Sequence, residues 1–271
     1  MAKRKSRIQL RSGSELDGLR EAGALAAEIL ARTAALVRPG VTTGEIDRAA
    51  ADFMADRSCK SAFLGYRGFP GQICISINEE VVHGIGGGRE LRDGDIVKID
   101  VGILSREGWV GDNAKTVAAG TLPAEAVALL AATEASLHEA IARAREGERL
   151  SAVCAAVEEY VAPRGFTVVK QFVGHGVGRK LHEEPQVPNY WDPEEMAGRH
   201  FKNPRLEAGM VLAIEPMVNA GSEEVSILDD KWTVITADRA LSAHFEHMIL
   251  ITDGEAEILT PRERSFAPGT A

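Results

Sequence analysis

Two histidines, His175 and His182, stand seven residues apart in the stretch GHGVGRKLHEEP (174–185), among three glycines. Glycine lets the backbone come close to a bound group, which suits a ligand or catalytic imidazole in a cleft better than a structural one. Four carboxylates elsewhere raise the same question. In IVKIDVGI (96–103), period-two alternation puts Ile96, Lys98, Asp100 and Gly102 on one face of a strand, so Asp100 sits among apolar neighbours. Asp112 lies in WVGDNAKTV, Glu215 in VLAIEPMV and Glu246 in HFEHMILIT, each in an apolar strand context. Aspartate has little preference for strands, and a buried unpaired carboxylate is costly unless it stays protonated. Any one of the four fits a solvated or ion-paired strand end. Together they call for cations, and these strands hold few lysines. Two divalent ions would match their charge. With the neutral imidazole of His175, the set becomes Asp, Asp, His, Glu, Glu. That is enough for two metals bridged by shared carboxylates and a water, with positions open to substrate. Oxygen-rich donors with one nitrogen suit Mn, Fe(II), Co or Zn better than Ca or a closed structural zinc site.

The elements that must position these residues are legible as a pattern that runs twice. Ser14 starts a helical periodicity (Leu16, Leu19, Ala22, Leu25, Ile29, Leu30, Leu36) with Asp17 as its capping-box partner, stopped by RPG at 38–40. Thr43 is expected to cap a second helix, GEIDRAAADFMADR. Strand-like ICISINEEVVHGI, DIVKIDVGI and WVGDNAKTVAAG follow. The pattern then restarts with the helices AEAVALLAATEASLHEAIARAREG and SAVCAAVEEYVAPRG and ends in the strands MVLAIEPMV, KWTVIT and HFEHMILITD. A shift of 107 residues pairs Arg38 with Arg145, Gly40 with Gly147, Ile46 with Val153, Ala49 with Ala156 and Phe53 with Tyr160. Helices then strands, twice over, points to two similar halves packed about one sheet. The polar segment PNYWDPEEMAGRHFKNPRLEAG (188–209), with three prolines, reads as a long surface excursion.

Composition narrows the setting. The chain has 271 residues, 45% hydrophobic, and a net charge of −9, which argues against general affinity for DNA. Its start is the exception: Lys3, Arg4, Lys5, Arg7 and Arg11 form a short basic tail, a solvated end or a point of ribosome contact. Three cysteines without a C-x-x-C pair suit a reducing cytoplasm. No apolar run approaches the ~18 residues of a membrane span, and the start has no secretory h-region.

In this order, IDVGI…GDNAKT, GHGVGRKLHEEP, AIEPMVNAG and SAHFEHMILITD resemble the type I methionine aminopeptidases, metallopeptidases of family M24, from about Leu16 to Thr260. The resemblance implies the α/β pita-bread fold, with two pseudo-symmetric halves of helices on a central curved, largely antiparallel sheet. On that basis residues 14–263 form one catalytic domain with halves of about 14–120 and 121–263, between a 1–13 tail and a 264–271 tail. It implies removal of the initiator methionine from nascent polypeptides whose second residue is small, by a cytoplasmic, mostly monomeric enzyme. Asp100, Asp112, His175, Glu215 and Glu246 become the ligands of two divalent ions. Asp112 and Glu246 would bridge both, Asp100 would hold one ion, and His175 and Glu215 the other. His182 matches a histidine that contacts the substrate carbonyl, and His83, in VVHGI, one near the scissile amide. Glu215 would also relay a proton. Tyr66, Phe69, Cys74 and Trp232 match methionine-pocket positions, with Phe63 and Leu181 as neighbours.

Some features depart from the family pattern. The interval from Asp100 to Asp112 is one residue longer than the commonest form, and Leu181 stands where an aromatic is frequent. The 31 residues from Glu215 to Glu246 leave no room for the helical insertion of type II enzymes. No cysteine cluster marks a zinc-finger extension. Two alternatives stand beside this reading. An Xaa-Pro aminopeptidase or prolidase of the same fold usually carries a further N-terminal domain. A metal-free binding homologue would show substituted ligands. The small Ala2 makes the chain a substrate for its own expected activity.

Overall fold

The computed structural model describes residues 8–266; the basic cluster at positions 3–7, Ala2 and residues 267–271 lie outside the described residues. The first half runs α1 (Ser14–Ala34), α2 (Thr43–Asp56), β1 (Lys60–Ser61), β2 (Cys74–Ile77), β3 (Glu80–Val82), β4 (Asp95–Leu104) and β5 (Val110–Ala119). The second runs α3 (Ala124–Ala142), α4 (Leu150–Val161), β6 (Thr167–Val168), β7 (Gly174–Gly176), β8 (Glu183–Val187), α5 (Pro193–Gly198), β9 (Val211–Ile214) and β10 (Met217–Asn219). It closes with β11 (Val225–Ile227), β12 (Val234–Thr236), β13 (Ser242–His244), β14 (His247–Leu250) and β15 (Glu257–Ile258).

Every strand pair among the described residues is antiparallel. In the first half β1 and β2 share one edge of β4 and β5 takes the other. The second half carries β15-β14-β9-β7-β8 and β13-β10-β6, and β12 ties the halves together by pairing with β3. Helix α1 packs on β4 and β5, and α3 on β9, β10 and β13. The contact of α1 with β5 is close because Gly111 has no side chain: a Cβ there would lie 2.1 Å from the Ala22 carbonyl oxygen. Among the described residues two large apolar clusters result, the first centred on residues such as Ile29, Ile75 and Val101 and the second on Leu129, Val157 and Phe245, with a small third one of Val81, Val82, Val169, Met217 and Val234 that draws on both halves.

The faint internal repeat is structural. Gly40 (φ 88°) and Gly147 (φ 84°) both turn in the left-handed region between their helices. Gly40 donates to the Leu91 carbonyl and Gly147 to the Leu206 carbonyl, and each leucine's N–H bonds back, to Val41 and Glu148 respectively. Leu91 opens LRDGDIVKID and Leu206 opens LEAGMVLAIE, so Gly94 corresponds to Gly209 and Asp100 to Glu215. Gly94 and Gly209 share the same conformation, φ 91° and 93°.

Three local expectations are corrected. The cap of α1 is Gly13, without a side-chain bond, and Asp17 turns instead to Arg20 at 3.3 Å. The cap of α2 is Thr42, one residue before the expected Thr43. Thr42 forms a complete capping box with Glu45, while Thr43 points inward and bonds Gly87. The 188–209 segment is anchored: Tyr190, Met196 and Leu206 are 1% exposed, and Asp192 caps the short α5. Wide spacing of its apolar anchors among prolines and charges hid them from a periodicity reading.

Candidate metal centre

Asp100 on β4 and Asp112 on β5 share one face of a continuous antiparallel ladder, since Asp100 opposes Ala114 and Gly102 opposes Asp112. Glu215 and Glu246 are placed differently from expectation: neither lies within a strand. Ile214 pairs with His247 and Met217 with His244, so the two glutamates face each other across a gap in one ladder. Pro216 accounts for the gap, because it has no N–H to give. The Asn189 side chain donates to the Glu215 carbonyl at 3.0 Å, which gives the 188–209 segment a role beside the centre. His175 sits on the short β7, between β9 and β8 and opposite Ala213 of β9.

The tautomer of His175 follows from its contacts. Its Nδ1 lies 3.0 Å from the Gly176 carbonyl, which can only accept, so the proton is on Nδ1. The Nε2 lone pair then faces Asp112 Oδ2 at 3.7 Å and Glu215 Oε1 at 3.5 Å. A lone pair aimed at two carboxylates is repulsive unless protons or a cation lie between them. Burial pushes the Asp100 carboxyl up to about 7, a bond from the Cys74 thiol opposing the shift. Burial, then neighbouring acids, hold Asp112, Glu215 and Glu246 well above the carboxylate range. Burial and the nearby His182 lower His175 to about 3.

Among the described residues no Lys or Arg side chain forms a salt bridge with these four acids. Lys98, on the same face as Asp100, spends its ammonium on the carbonyls of Asn78 (2.7 Å) and Ser242 (2.9 Å). Asp100 Oδ1 and Asp112 Oδ1 are buried without a hydrogen-bond partner. Asp112, His175 and Glu246 each offer one ligand atom, all within 4.8 Å of one another. Buried acids, a correctly oriented neutral imidazole and orphaned oxygens fit divalent cations. Glu215 joins this triad through His175, and Asp100 stands diagonally behind Asp112.

The other expected residues surround this group. His182 is exposed at the mouth, its ring 4.3 Å from that of His175 and its Nδ1 2.8 Å from the Tyr66 hydroxyl. Partial desolvation of the ring, then the positive Arg67, lower its pKa. His83 follows β3 with φ 61°, a left-handed conformation uncommon outside glycine and found at sites where geometry is imposed. Its ring stands edge-on to Phe172 (5.4 Å) and Trp232 (6.2 Å), and burial drives its pKa to about 4. Phe69 meets Trp232 edge-on at 5.1 Å. Phe63, Phe69, Cys74 and Leu181 are buried in one apolar cluster against which Tyr66 and Trp232 pack. Gly102 makes room for Phe63: a Cβ there would lie 2.3 Å from its ring. Outside, a cleft of about 790 Å³ is lined by His175, His182, Arg67, Arg179 and Lys180.

His244 is the principal residue that the sequence reading passed over. It is 1% exposed, and Thr116 Oγ1 accepts its N–H (2.9 Å) and donates to its carbonyl (2.7 Å). Neither ring nitrogen has a hydrogen-bond partner, and Nε2 lies 3.9 Å from Glu215 Oε2. The repeat gives the signal that was available. Asp112 opposes the residue two beyond Asp100, and His244 opposes the residue two beyond Glu215, so His244 is the second half's counterpart of Asp112.

Comparison with known proteins agrees with this geometry. A family model described as metallopeptidase family M24 matches residues 17–253. The chain is 47% identical over 246 residues to methionine aminopeptidase 1 of Bacillus subtilis, covering 91% of this chain and 96% of that one. It is 45% identical over 255 residues to the methionine aminopeptidase of Borreliella burgdorferi, covering 94% and 99%. The crystal structure of methionine aminopeptidase from Thermotoga maritima superposes with a TM-score of 0.89 at 38% identity, covering 94% of this chain and all of that chain. A prolidase from Pyrococcus furiosus shares the fold at 20% identity, with a TM-score of 0.75. On sequence, pita-bread architecture and a buried acid–histidine centre together, the chain belongs to the methionine aminopeptidases of metallopeptidase family M24.

Proposed function

We propose that this chain removes the N-terminal methionine of nascent polypeptides whose second residue is small, and that Asp100, Asp112, His175, Glu215 and Glu246 hold two divalent ions for the reaction. The observation that carries this reading is the meeting of Asp112 and Glu215 at the free Nε2 of His175, with Glu246 in the same group and no Lys or Arg among the described residues in a salt bridge with these acids or with Asp100. Asp112 and Glu246, one from each half, would be the shared ligands; Asp100 would hold one ion, and Glu215 with His175 the other. When bound, the ions (Co, Mn, Fe(II) or Zn) supply an activated water and polarise the scissile carbonyl.

The chain's own residues do the rest. With Tyr66 O–H donating to Nδ1, the His182 proton sits on Nε2, where it donates to the substrate carbonyl oxygen as charge develops there. The lowered pKa of His182 keeps that donor neutral. Glu215 takes a proton from the attacking water and delivers it to the leaving amine, with His83 orienting that amine. Phe63, Tyr66, Phe69, Cys74, Leu181 and Trp232 enclose the methionine side chain, whose flexibility and polarisability suit an apolar, partly aromatic pocket.

The test is release of free methionine from Met-Ala-Ser, after chelation and after adding back Mn or Co. Metal-restored cleavage, absent for Ala-Pro-Ser, is the expected result. No cleavage with any metal overturns the reading, and preference for Ala-Pro-Ser replaces it with proline-directed chemistry. The pocket makes a separate prediction. Gly102→Ala drives a methyl into the Phe63 ring, and overpacking costs about 1–3 kcal/mol. We expect KM for Met-Ala-Ser to rise about tenfold with kcat little changed; an unaltered KM removes Phe63 from the pocket.

A further inference from the structure

Beside the Glu246 main chain, the chain makes a last pass at residues 259–266. Leu259 N–H donates to the Met248 carbonyl (2.8 Å), and Thr260 Oγ1 accepts from Met248 N–H (3.1 Å) and bonds His247 Nδ1 (2.9 Å). The N–H groups of Ser265 and Phe266 donate to the Glu134 carboxylate, and the Phe266 ring stands edge-on to Phe245 at 6.4 Å. Between these anchors Arg262 turns inward. Its Nη1 donates to the Glu246 carbonyl and its Nη2 to the Ala114 carbonyl, both at 2.9 Å.

These two acceptors are not arbitrary. Ala114 opposes Asp100 on the β4–β5 ladder, and Glu246 faces Glu215 across the gap between β9 and β14, so they are corresponding positions of the two halves. The Glu246 N–H also donates to the Ala114 carbonyl at 2.9 Å, so the halves are joined directly at this pair. Arg262 therefore grips the corresponding carbonyl of each half. A guanidinium suits that task because its two forward donors lie in one rigid plane, whereas an ammonium can serve only as a point charge. Its partners are the two carbonyls and, at 3.3 Å from Nη1, His247 Nδ1; since none is a carboxylate, its positive charge remains to act on the neighbouring acids.

We propose that Arg262 is a positioning residue: by fixing Ala114 against Glu246 it sets the distance between the Asp112 and Glu246 carboxylates, and so the affinity for the second divalent ion they share. This rests on the ligand reading above. The test is Mn titration calorimetry on the metal-free full chain and on Arg262→Met, Arg262→Lys and Glu246→Ala, with the Tm of each metal-free protein and the kcat and KM of each loaded one. We expect Arg262→Met to keep its metal-free Tm within a few degrees, to weaken the weaker Mn step at least tenfold, and to lower kcat while KM holds. Arg262→Lys should recover part of that loss. A wild-type isotherm and kcat for Arg262→Met overturn the proposal. So does a lysine variant indistinguishable from wild type, a readout that survives if the methionine variant fails to fold. Loss of Tm in proportion to loss of affinity in both variants shows a merely structural role. Unchanged Mn affinity in Glu246→Ala overturns the ligand reading itself, separately from the role of Arg262.

Discussion

Alanine at Glu246 or Asp112 is expected to reduce turnover of Met-Ala-Ser by on the order of 10³-fold or more, about 4 kcal/mol of transition-state stabilisation. Each is assigned to both ions, so its loss disturbs the entire centre. The same substitution should stabilise the metal-free protein. A buried carboxylate without a salt bridge to Lys or Arg is a cost to the fold, and its removal relieves both desolvation and repulsion from its neighbours. Activity and metal-free Tm should thus move in opposite directions, as expected where function is bought with strain. Near-normal kcat in either variant with saturating Mn, measured beside its Tm, would sink the shared-ligand assignment.

Metal binding should also be strongly pH-dependent. The Asp100 carboxyl is raised to about 7, and the other three acids are raised as well. A raised folded-state pKa gives stability that is fully present below the ordinary carboxylate range and is lost as pH rises through the folded value. For Asp100 that window runs from about 4 to about 7. The buried histidines act in the other direction: His83, His175 and His244 are lowered to about 4, 3 and 3, so their contribution is lost as pH falls below their ordinary value. Ions take the carboxylates in ionised form and displace their protons. Mn affinity should therefore rise from pH 6 to pH 8, and the Tm gain on loading should widen with it. At a hundred times Kd the gain is about 2.7 kcal/mol, or roughly 5–10 °C for a chain of this size. A Tm gain independent of pH would show that no proton is released and that the acids are already ionised.

How far the sequence discloses this depends on what each residue must satisfy. Asp100 and Asp112 are legible because a charged residue breaks a simple alternation on a regular ladder, and β4 and β5 form as that alternation predicts. Glu215 and Glu246 are legible as carboxylates in apolar company, but their place in a gap between strands is not. That gap depends on Pro216 and on a ladder shared by segments some thirty residues apart. His182 and Tyr66 meet only through tertiary packing, and the resemblance, not periodicity, brought them together. His244 is hidden because its place depends on pairing with Met217, a register that local sequence does not display. Asn189 was hidden because its partner is a main-chain carbonyl, which leaves no mark in a sequence. The 107-residue offset was faint because only glycine turns and helix faces are held in common. The stronger match, LRDGDIVKID with LEAGMVLAIE, lies at a different offset and carries the chemistry.

That duplicated architecture gives the centre a mechanical meaning. Asp100 and Asp112 belong to the first half, His175, Glu215 and Glu246 to the second, and the covalent passage between halves is the short stretch from Ala119 to Ala124. Under the proposed ligand set, ions held by both halves would be rivets across a seam. They would tie together residues remote along the chain, as a disulfide does in a secreted domain, while the three cysteines here stay free and buried. Such a rivet closes only after both plates have met, and it is loosened by a chelator instead of a reductant.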